Sequence, residues 1–292
     1  MASMLDGKVK PKIEKNEVSS TSPGDFLPTS DMPDLFFPVE TVFSPVSVES
    51  RVVVHTDPRS AGADRFRLVR LRLKNLQAAR GLKTLLITSP LPGDGKSTVA
   101  LNLATALSEN GKHRVLLLEA DVYRPTLIKK LDLKAWPGLT DCHRRGIDPR
   151  LEIRRIEPLG FYLLPAGQPT DDGSGLLLSG FTPQLIKELS SSSFSWILID
   201  SPPSTPVADI LALKAHADAT LLVARAGHTP REAIEEAATN LGRDHIMGII
   251  LNGVEGLDRM YSKYYGYQSP EDPRKPEKAK GPLGLGFKPY GK

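Results

Sequence analysis

The sequence is poor in several features that define common protein classes. Cys142 is the single cysteine among 292 residues, so an internal disulfide is excluded and a reducing compartment is indicated. The six histidines are scattered without the spacing of a zinc site. No apolar run approaches the roughly 18 residues that cross a bilayer, and residues 1–15 lack the apolar segment of a secretory signal. We therefore expect a cytoplasmic protein.

An excess of charge of one sign is also missing. The chain carries 38 basic and 34 acidic residues, for a formal net charge of +4, and both signs are mixed along most of its length. A surface that binds nucleic acid would need a basic patch that this pattern does not show. No nucleic-acid partner is therefore expected.

Composition divides the chain into three regions. Residues 1–60 contain seven prolines and many serines without sustained periodicity, which predicts a disordered N-terminal extension with one extended piece at 50–55. Residues 61–256 hold the apolar patterns of a folded domain. Residues 257–292 are rich in Pro, Gly and Lys, and they are expected to form a flexible tail that carries five of the seven tyrosines.

Within 61–256, short apolar runs alternate with helical patterns. Strands are predicted at 84–88, 114–118, 161–164, 196–200, 220–224 and 247–251. Helices are predicted at 64–79, 97–110, 126–131, 183–190, 207–215 and 229–242. This alternation is typical of a parallel sheet covered on both faces. The expected fold class is therefore a three-layer α/β domain with a mostly parallel central sheet flanked by helices.

Residues 84–98 combine a strand, a glycine-containing turn and the start of a helix. Backbone N–H groups of such a turn and helix N-terminus bind phosphate, and the helix dipole adds partial positive charge. Lys96 can neutralise the β- and γ-phosphates, and Ser97 can hold Mg²⁺. Pro90 stands where the strict P-loop pattern has glycine, but the context predicts a P-loop NTPase fold. The expected nucleotide contacts are Pro92, Gly93, Asp94, Gly95, Lys96, Ser97 and Thr98.

Three acidic residues follow predicted strands. Glu119 and Asp121 lie two residues apart after the strand at 114–118, so both are expected on the same side. Asp200 ends the strand at 196–200, at the carboxyl edge where open α/β sheets bind ligands. One such acid is more often a helix cap or a turn residue, but three of them together with Lys96 indicate phosphoryl transfer.

These motifs resemble those of the bacterial tyrosine kinases that control polysaccharide synthesis and export. Residues 89–97 are similar to the first nucleotide motif of that family, including its proline, with Asp94 in place of the usual Glu. The family motif Asp-x-Asp-x-Arg appears here with Glu119 for the first acid and Tyr123 for the arginine. The second nucleotide motif, Ile-Asp-Thr-Pro-Pro, is matched around Asp200, with a serine after it.

The resemblance implies a tyrosine autokinase that uses ATP and Mg²⁺. It implies catalytic roles for Lys96, Glu119, Asp121 and Asp200, with Mg²⁺ held by Ser97, Asp121 and Asp200. Asn252 is similar to the family position that lies beside the adenine. The implied phosphoacceptors, offered in trans to a neighbouring subunit, are Tyr261, Tyr264, Tyr265 and Tyr267.

The resemblance also implies partners. Asp64, Arg67 and Arg70 keep the spacing of a family helix that packs against the neighbouring subunit of a homo-oligomeric ring, although a solvated basic helix face would show the same spacing. With no predicted membrane span, the chain resembles the form of the family whose kinase and membrane activator are separate proteins. The expected partner is a membrane polysaccharide co-polymerase that recruits the kinase to the inner face of the cell membrane.

Two other functions fit parts of the sequence. A partitioning or cell-division ATPase of the MinD/ParA type would carry a second lysine early in the loop, and residues 91–93 contain none. A nucleotide-binding regulator of the membrane co-polymerase, without strong kinase activity, would be consistent with Glu119 and Tyr123. Incubation with Mg-ATP separates the three, because only a kinase labels its own tail.

Overall fold

A twisted eight-stranded sheet forms the centre of the protein. The computed structural model describes residues 39–204 and 207–256. The strand order is β1-β4-β5-β3-β6-β2-β7-β8, and every neighbouring pair is parallel except β4 and β5. The strands are β1 Thr41–Phe43, β2 Thr84–Thr88, β3 Val115–Glu119, β4 Arg154–Glu157, β5 Phe161–Leu164, β6 Trp196–Asp200, β7 Ala219–Arg225 and β8 Ile246–Asn252.

Helices cover both faces of this sheet, as predicted. They are α1 Val53–Thr56, α2 Ala61–Arg80, α3 Lys96–Ser108, α4 Leu127–Lys130, α5 Leu139–Arg145, α6 Gly173–Leu178, α7 Phe181–Ser190, α8 Val207–Lys214 and α9 Arg231–Leu241. Short 3₁₀ turns lie at Val48–Ser50, Pro149–Glu152 and Arg243–His245. Among the described residues, no helix combines the length and the apolar character that a membrane crossing requires.

The apolar runs of the sequence become strands that are buried on both faces. Every residue of β2, β3 and β6 is buried. Because side chains alternate across a strand, Leu85 and Ile87 join the core beneath α3, whereas Leu86 joins the core on the opposite face. Burying one such side chain contributes about 1.5–3 kcal/mol, so both layers stabilise the sheet.

The predicted N-terminal extension, residues 1–60, is corrected for its last part. Residues 41–43 form edge strand β1, which pairs in parallel with β4, and the predicted extended piece at 50–55 is helical instead. The Ser44 hydroxyl donates to the Leu131 carbonyl at 2.6 Å, so this segment is bound to the domain. Burial of Val52 and Val46 supplies the stabilisation that local periodicity did not reveal. Residues 1–38 and 257–292 lie outside the described residues.

Besides β1 and α1, three further elements were not predicted from the sequence. Strand β4 has only Ile156 buried among charged neighbours, so it shows no apolar run. Helices α5 and α6 have seven and six residues, which is too short for a clear 3.6-residue period, and α6 contains two glycines. Tertiary packing rather than local propensity forms these elements.

Candidate nucleotide site

The turn between β2 and α3 has the backbone shape that a P-loop requires. Gly93 and Gly95 have φ values of 88° and 96°, a left-handed conformation that favours glycine. A Cβ on Gly95 would lie 2.1 Å from Nδ2 of Asn252. That amide donates to the carbonyl of Asp94 at 2.9 Å. The first turn of α3 therefore leaves its N–H groups facing the turn, as phosphate binding requires.

Asp94 holds the turn from inside. Its side chain is fully buried, and Oδ2 accepts the N–H of Leu91 at 3.0 Å. Its Oδ1 accepts the Thr229 hydroxyl at 2.6 Å and contacts Nδ1 of His228 at 3.1 Å. The loop after β7 thus holds the P-loop turn in place through His228 and Thr229. Sequence reasoning missed Thr229 and His228 because no local pattern links them to a loop 134 and 135 residues away.

Lys96 and the two strand-end aspartates come together as predicted. The Lys96 ammonium donates to Oδ2 of Asp121 at 2.7 Å, and the two side chains are only 13% and 7% exposed. Burial opposes the charge of Lys96, but the nearby carboxylates of Asp200 and Asp121 outweigh it and hold the pKa of Lys96 above its ordinary value. The ammonium therefore stays charged at neutral pH.

Asp200 is a buried carboxylate near the Lys96 ammonium and the Ser97 hydroxyl. It is completely buried at the end of β6, and neither oxygen makes a hydrogen bond within the described residues. Burial raises the pKa of Asp200 to about 6, against the opposing effects of the Lys96 ammonium and the Ser97 hydroxyl. A cation bound beside Asp200 would offset the free-energy cost of burying its charged carboxylate.

Glu119 is hydrogen-bonded to the main chain of two neighbouring segments. Its Oε1 accepts the N–H groups of Thr126 and Leu127 at 2.6 and 2.8 Å, and its Oε2 accepts the N–H of Ala166 at 3.2 Å. Burial raises the pKa of Glu119 to about 7. The expected catalytic role of Glu119 therefore stays a prediction. Because its longer arm is taken up by main-chain amides, the residue anchors α4 and the loop after β5.

Tyr123, at the position of the family arginine, belongs to a small polar cluster. Its hydroxyl donates to Oδ2 of Asp209 at 2.7 Å and lies 3.1 Å from the Ser174 hydroxyl. Ser174 donates to the other Asp209 oxygen at 2.6 Å. Asp209 is only 1% exposed. The cluster joins the loop that carries Asp121 to helices α6 and α8.

The acids do not form a preassembled metal cage. Within the described ranges, no group of three or more His, Cys, Asp or Glu side chains could hold a metal ion. A Mg²⁺ site in a phosphate-binding pocket needs only one or two carboxylates, since phosphates and water supply the other ligands. The unpartnered oxygens of Asp200 beside Ser97 and Asp121 fit that requirement.

The remaining predicted residues fall in three places. Asn252 lies at the site, but its amide binds the P-loop backbone. Asp64 and Arg67 form an ion pair on α2, and Arg70 reaches the Ala106 carbonyl at 3.4 Å. Arg70 therefore links α2 to the end of α3. The four expected phosphoacceptors lie outside the described residues: Tyr261, Tyr264, Tyr265 and Tyr267.

A family model decides the assignment of this fold. The model for ParA, described as an NUBPL iron-transfer P-loop NTPase, matches residues 82–252. The chain belongs to this family of P-loop NTPases. The match spans β2 to β8, and so includes the P-loop, both acid motifs and Asn252.

Curated proteins with similar sequences include bacterial tyrosine kinases and a polysaccharide transport protein. The tyrosine-protein kinase YwqD of Bacillus subtilis is 29% identical over 221 residues, which cover 75% of this chain and 92% of YwqD. The succinoglycan biosynthesis transport protein ExoP of Rhizobium meliloti is 29% identical over 235 residues, but these are only 30% of ExoP. The resemblance to bacterial tyrosine kinases is confirmed.

Solved structures agree with the predicted fold. The BceF tyrosine kinase domain is 28% identical, with a TM-score of 0.63, and the match covers 74% of this chain and 92% of that domain. MinD of Pyrococcus horikoshii, solved with Mg-ADP, is 21% identical with a TM-score of 0.50 and covers 62% of this chain and 76% of MinD. The P-loop NTPase fold with a mostly parallel sheet is confirmed.

Proposed function

We propose that this protein is an ATP-dependent protein-tyrosine autokinase that regulates exopolysaccharide or capsule synthesis and export. The observation that carries the proposal is the cluster of Lys96, Asp121 and Asp200 at a P-loop turn, in which the Lys96 ammonium lies close to both carboxylates. We call these three residues the junction. Similarity to YwqD over nearly its whole length supports tyrosine as the acceptor. Similarity to ExoP supports a role in polysaccharide export.

Each residue of the junction has a task in phosphoryl transfer. The Lys96 ammonium neutralises phosphate charge, and the N–H groups at the start of α3 bind phosphate oxygens. Ser97, Asp121 and Asp200 are the residues that would hold Mg²⁺, and the ion would supply positive charge for the phosphates. Asp121 also accepts the Arg124 N–H at 3.2 Å, which orients its carboxylate. Asp121 is the group that receives or holds the tyrosine proton.

The position of β8 supports the tail as the source of acceptors. Asn252 ends β8 and contacts the P-loop, so the chain leaves the fold beside the nucleotide site. Nine residues separate it from Tyr261, and an extended chain of that length spans about 30 Å. The tail tyrosines can therefore reach a neighbouring copy. Each phosphate adds about −1.5 to −2 charge, so several of them would repel one another and open a ring.

The partners follow from the same proposal. The basic face of α2, with Arg67 and Arg70, packs against the next subunit of a homo-oligomeric ring. A membrane polysaccharide co-polymerase activates the kinase and recruits it from the cytoplasm to the membrane. Analytical ultracentrifugation of the wild type and Arg70→Glu tests the ring, because reversing that charge on α2 is expected to shift the protein to monomer.

Incubation of the purified protein with Mg-ATP, followed by an anti-phosphotyrosine blot, tests the activity. We expect labelling in the wild type and none in Lys96→Ala or Asp200→Asn. The match to the ParA model favours a MinD/ParA-like ATPase as the second candidate. Release of phosphate without tyrosine labelling would support that ATPase, and neither activity would indicate a nucleotide-binding regulator.

A further inference from the structure

Helix α4 brings a second lysine to the P-loop. Lys130 ends α4, and its Nζ lies 3.2 Å from the Thr98 hydroxyl in the first turn of α3. Thr98 follows Ser97 directly, so this ammonium lies beside the helix N-terminus that receives phosphate. Lys130 comes from the chain's own α4, not from the loop itself.

The surroundings of Lys130 differ from those of Lys96. Lys96 is paired with a carboxylate at 2.7 Å, whereas the hydrogen bond of Lys130 within the described residues goes to a neutral hydroxyl. Burial, together with the positive charges of Arg51 and Lys96, lowers the pKa of Lys130, and only Asp200 opposes them. A half-buried ammonium among cations is stabilised by a multiply charged anion.

Two anchors hold Lys130 in this place. Glu119 accepts the first amides of α4 and so fixes that helix to the end of β3. The Asn102 amide donates to the carbonyls of Thr98 and Arg51, both at 2.8 Å, and so joins the segment before α1 to the same turn. Hydrogen bonds therefore fix both segments beside Asp200, which is completely buried and makes no hydrogen bond within the described residues.

We infer that Lys130 is a second phosphate-binding cation of the nucleotide site, placed by its contact with Thr98 at the start of α3. This inference rests on the proposed nucleotide-binding function. Because the Lys96 ammonium is held by Asp121 in the free protein, Lys130 supplies the cation that is available when the phosphates first bind. A charge-assisted hydrogen bond of this kind contributes to binding of both di- and triphosphates.

Binding of N-methylanthraniloyl-ADP with Mg²⁺, followed by fluorescence, tests the inference without any turnover. Lys130→Met is expected to weaken binding about tenfold, a loss of about 1.4 kcal/mol, whereas Lys130→Arg keeps the charge and stays within about threefold of wild type. Lys129→Met is the matched control, since Lys129 is exposed on the same helix, and should bind as wild type. Thermal melts establish that each variant is folded.

The outcomes separate this inference from the function beneath it. If the wild type binds the nucleotide and Lys130→Met binds equally well, the role of Lys130 is overturned while the nucleotide site stands. Equal losses in Lys129→Met and Lys130→Met would overturn it too, because a general loss of positive charge would then explain the effect. Failure of the wild type to bind any nucleotide would overturn both.

Discussion

The Tyr123 hydroxyl donates a hydrogen bond of 2.7 Å to the buried carboxylate of Asp209. Gly173 packs on the face of the Tyr123 ring, where a Cβ would lie 2.4 Å from Cζ. Burial, with help from Asp209, raises the pKa of Tyr123, so the phenol remains a donor at neutral pH. This bond couples the loop of Asp121 to the helix that follows the Asp200 motif.

Removing that hydroxyl should destabilise the domain. Tyr123→Phe leaves Asp209 with Ser174 as its remaining partner, and an under-satisfied buried acceptor costs about 1–3 kcal/mol. We expect a corresponding loss in urea unfolding. Tyr162→Phe is the control, because the Tyr162 hydroxyl has no hydrogen bond within the described residues while its ring packs on Phe194. An unchanged stability in Tyr123→Phe would contradict the coupling.

Substitution of Glu119 should lower the free energy of unfolding of the domain. Glu119→Ala removes the acceptor of three amide groups and is expected to cost on the order of 3 kcal/mol in stability. Glu119→Gln keeps the shape and one acceptor oxygen, and should lose about half as much. Chemical unfolding measures both. If Glu119→Gln abolished labelling with unchanged stability and nucleotide affinity, Glu119 would instead be a catalytic group.

The ionised carboxylate of Asp200 should lower the free energy of unfolding at pH values above its pKa. Its folded-state pKa is about 6 against an ordinary 3.8, so the folded state binds the proton more tightly, and stability is lost as the pH rises between these values. At about 1.4 kcal/mol per pKa unit, the penalty at pH 8 is on the order of 3 kcal/mol.

Asp200→Asn should therefore raise the free energy of unfolding, by about 1 kcal/mol more at pH 8 than at pH 5. Urea unfolding at the two pH values measures this difference. Asp218→Asn serves as the control, because one Asp218 oxygen already accepts the N–H groups of Lys83 and Thr84 at 2.7 Å. A gain of stability in both variants, or one independent of pH, would argue against a strained buried charge at Asp200.

The hydroxyl of Thr229 should matter for nucleotide affinity. Thr229→Val keeps the shape of the side chain but removes its 2.6 Å bond to buried Asp94, which holds the P-loop turn. We expect a several-fold weaker affinity for Mg-ADP and a stability loss of about 1 kcal/mol. Isothermal titration calorimetry measures the affinity. Thr239→Val, at an exposed position of α9, removes a local bond and should leave binding unchanged.

The sequence predicted the parts of the fold that depend on continuous apolar runs. Strands β2, β5 and β6 begin and end as expected, because each is a buried run followed by a turn. Strand β1 and helix α1 were not expected, since their stability comes from contacts with β4 and α3. Long-range packing of this kind leaves no periodic signal in a segment of a few residues.

In the candidate site, too, residues within local motifs could be predicted, whereas residues brought in by long-range packing could not. Lys96, Asp121 and Asp200 could be predicted because each sits at a motif on a strand end or a helix start. Thr229 and Lys130 could not, since only the folded sheet brings β7 and α4 to the P-loop. Residue type and spacing also could not predict that Glu119 and Asn252 are hydrogen-bonded to main-chain groups.

The most direct test of autophosphorylation in trans mixes two variants, one without a catalytic lysine and one without the tail acceptors. One variant carries Lys96→Ala with an intact tail, and the other carries phenylalanine in place of tyrosine at 261, 264, 265 and 267. The two variants are incubated together with Mg-ATP. Phosphosite mapping by mass spectrometry should then find phosphotyrosine on the tail of the Lys96→Ala chain. Each variant alone should stay unlabelled. An unlabelled mixture beside a labelled wild type would contradict action in trans, and an unlabelled wild type would contradict a tyrosine kinase.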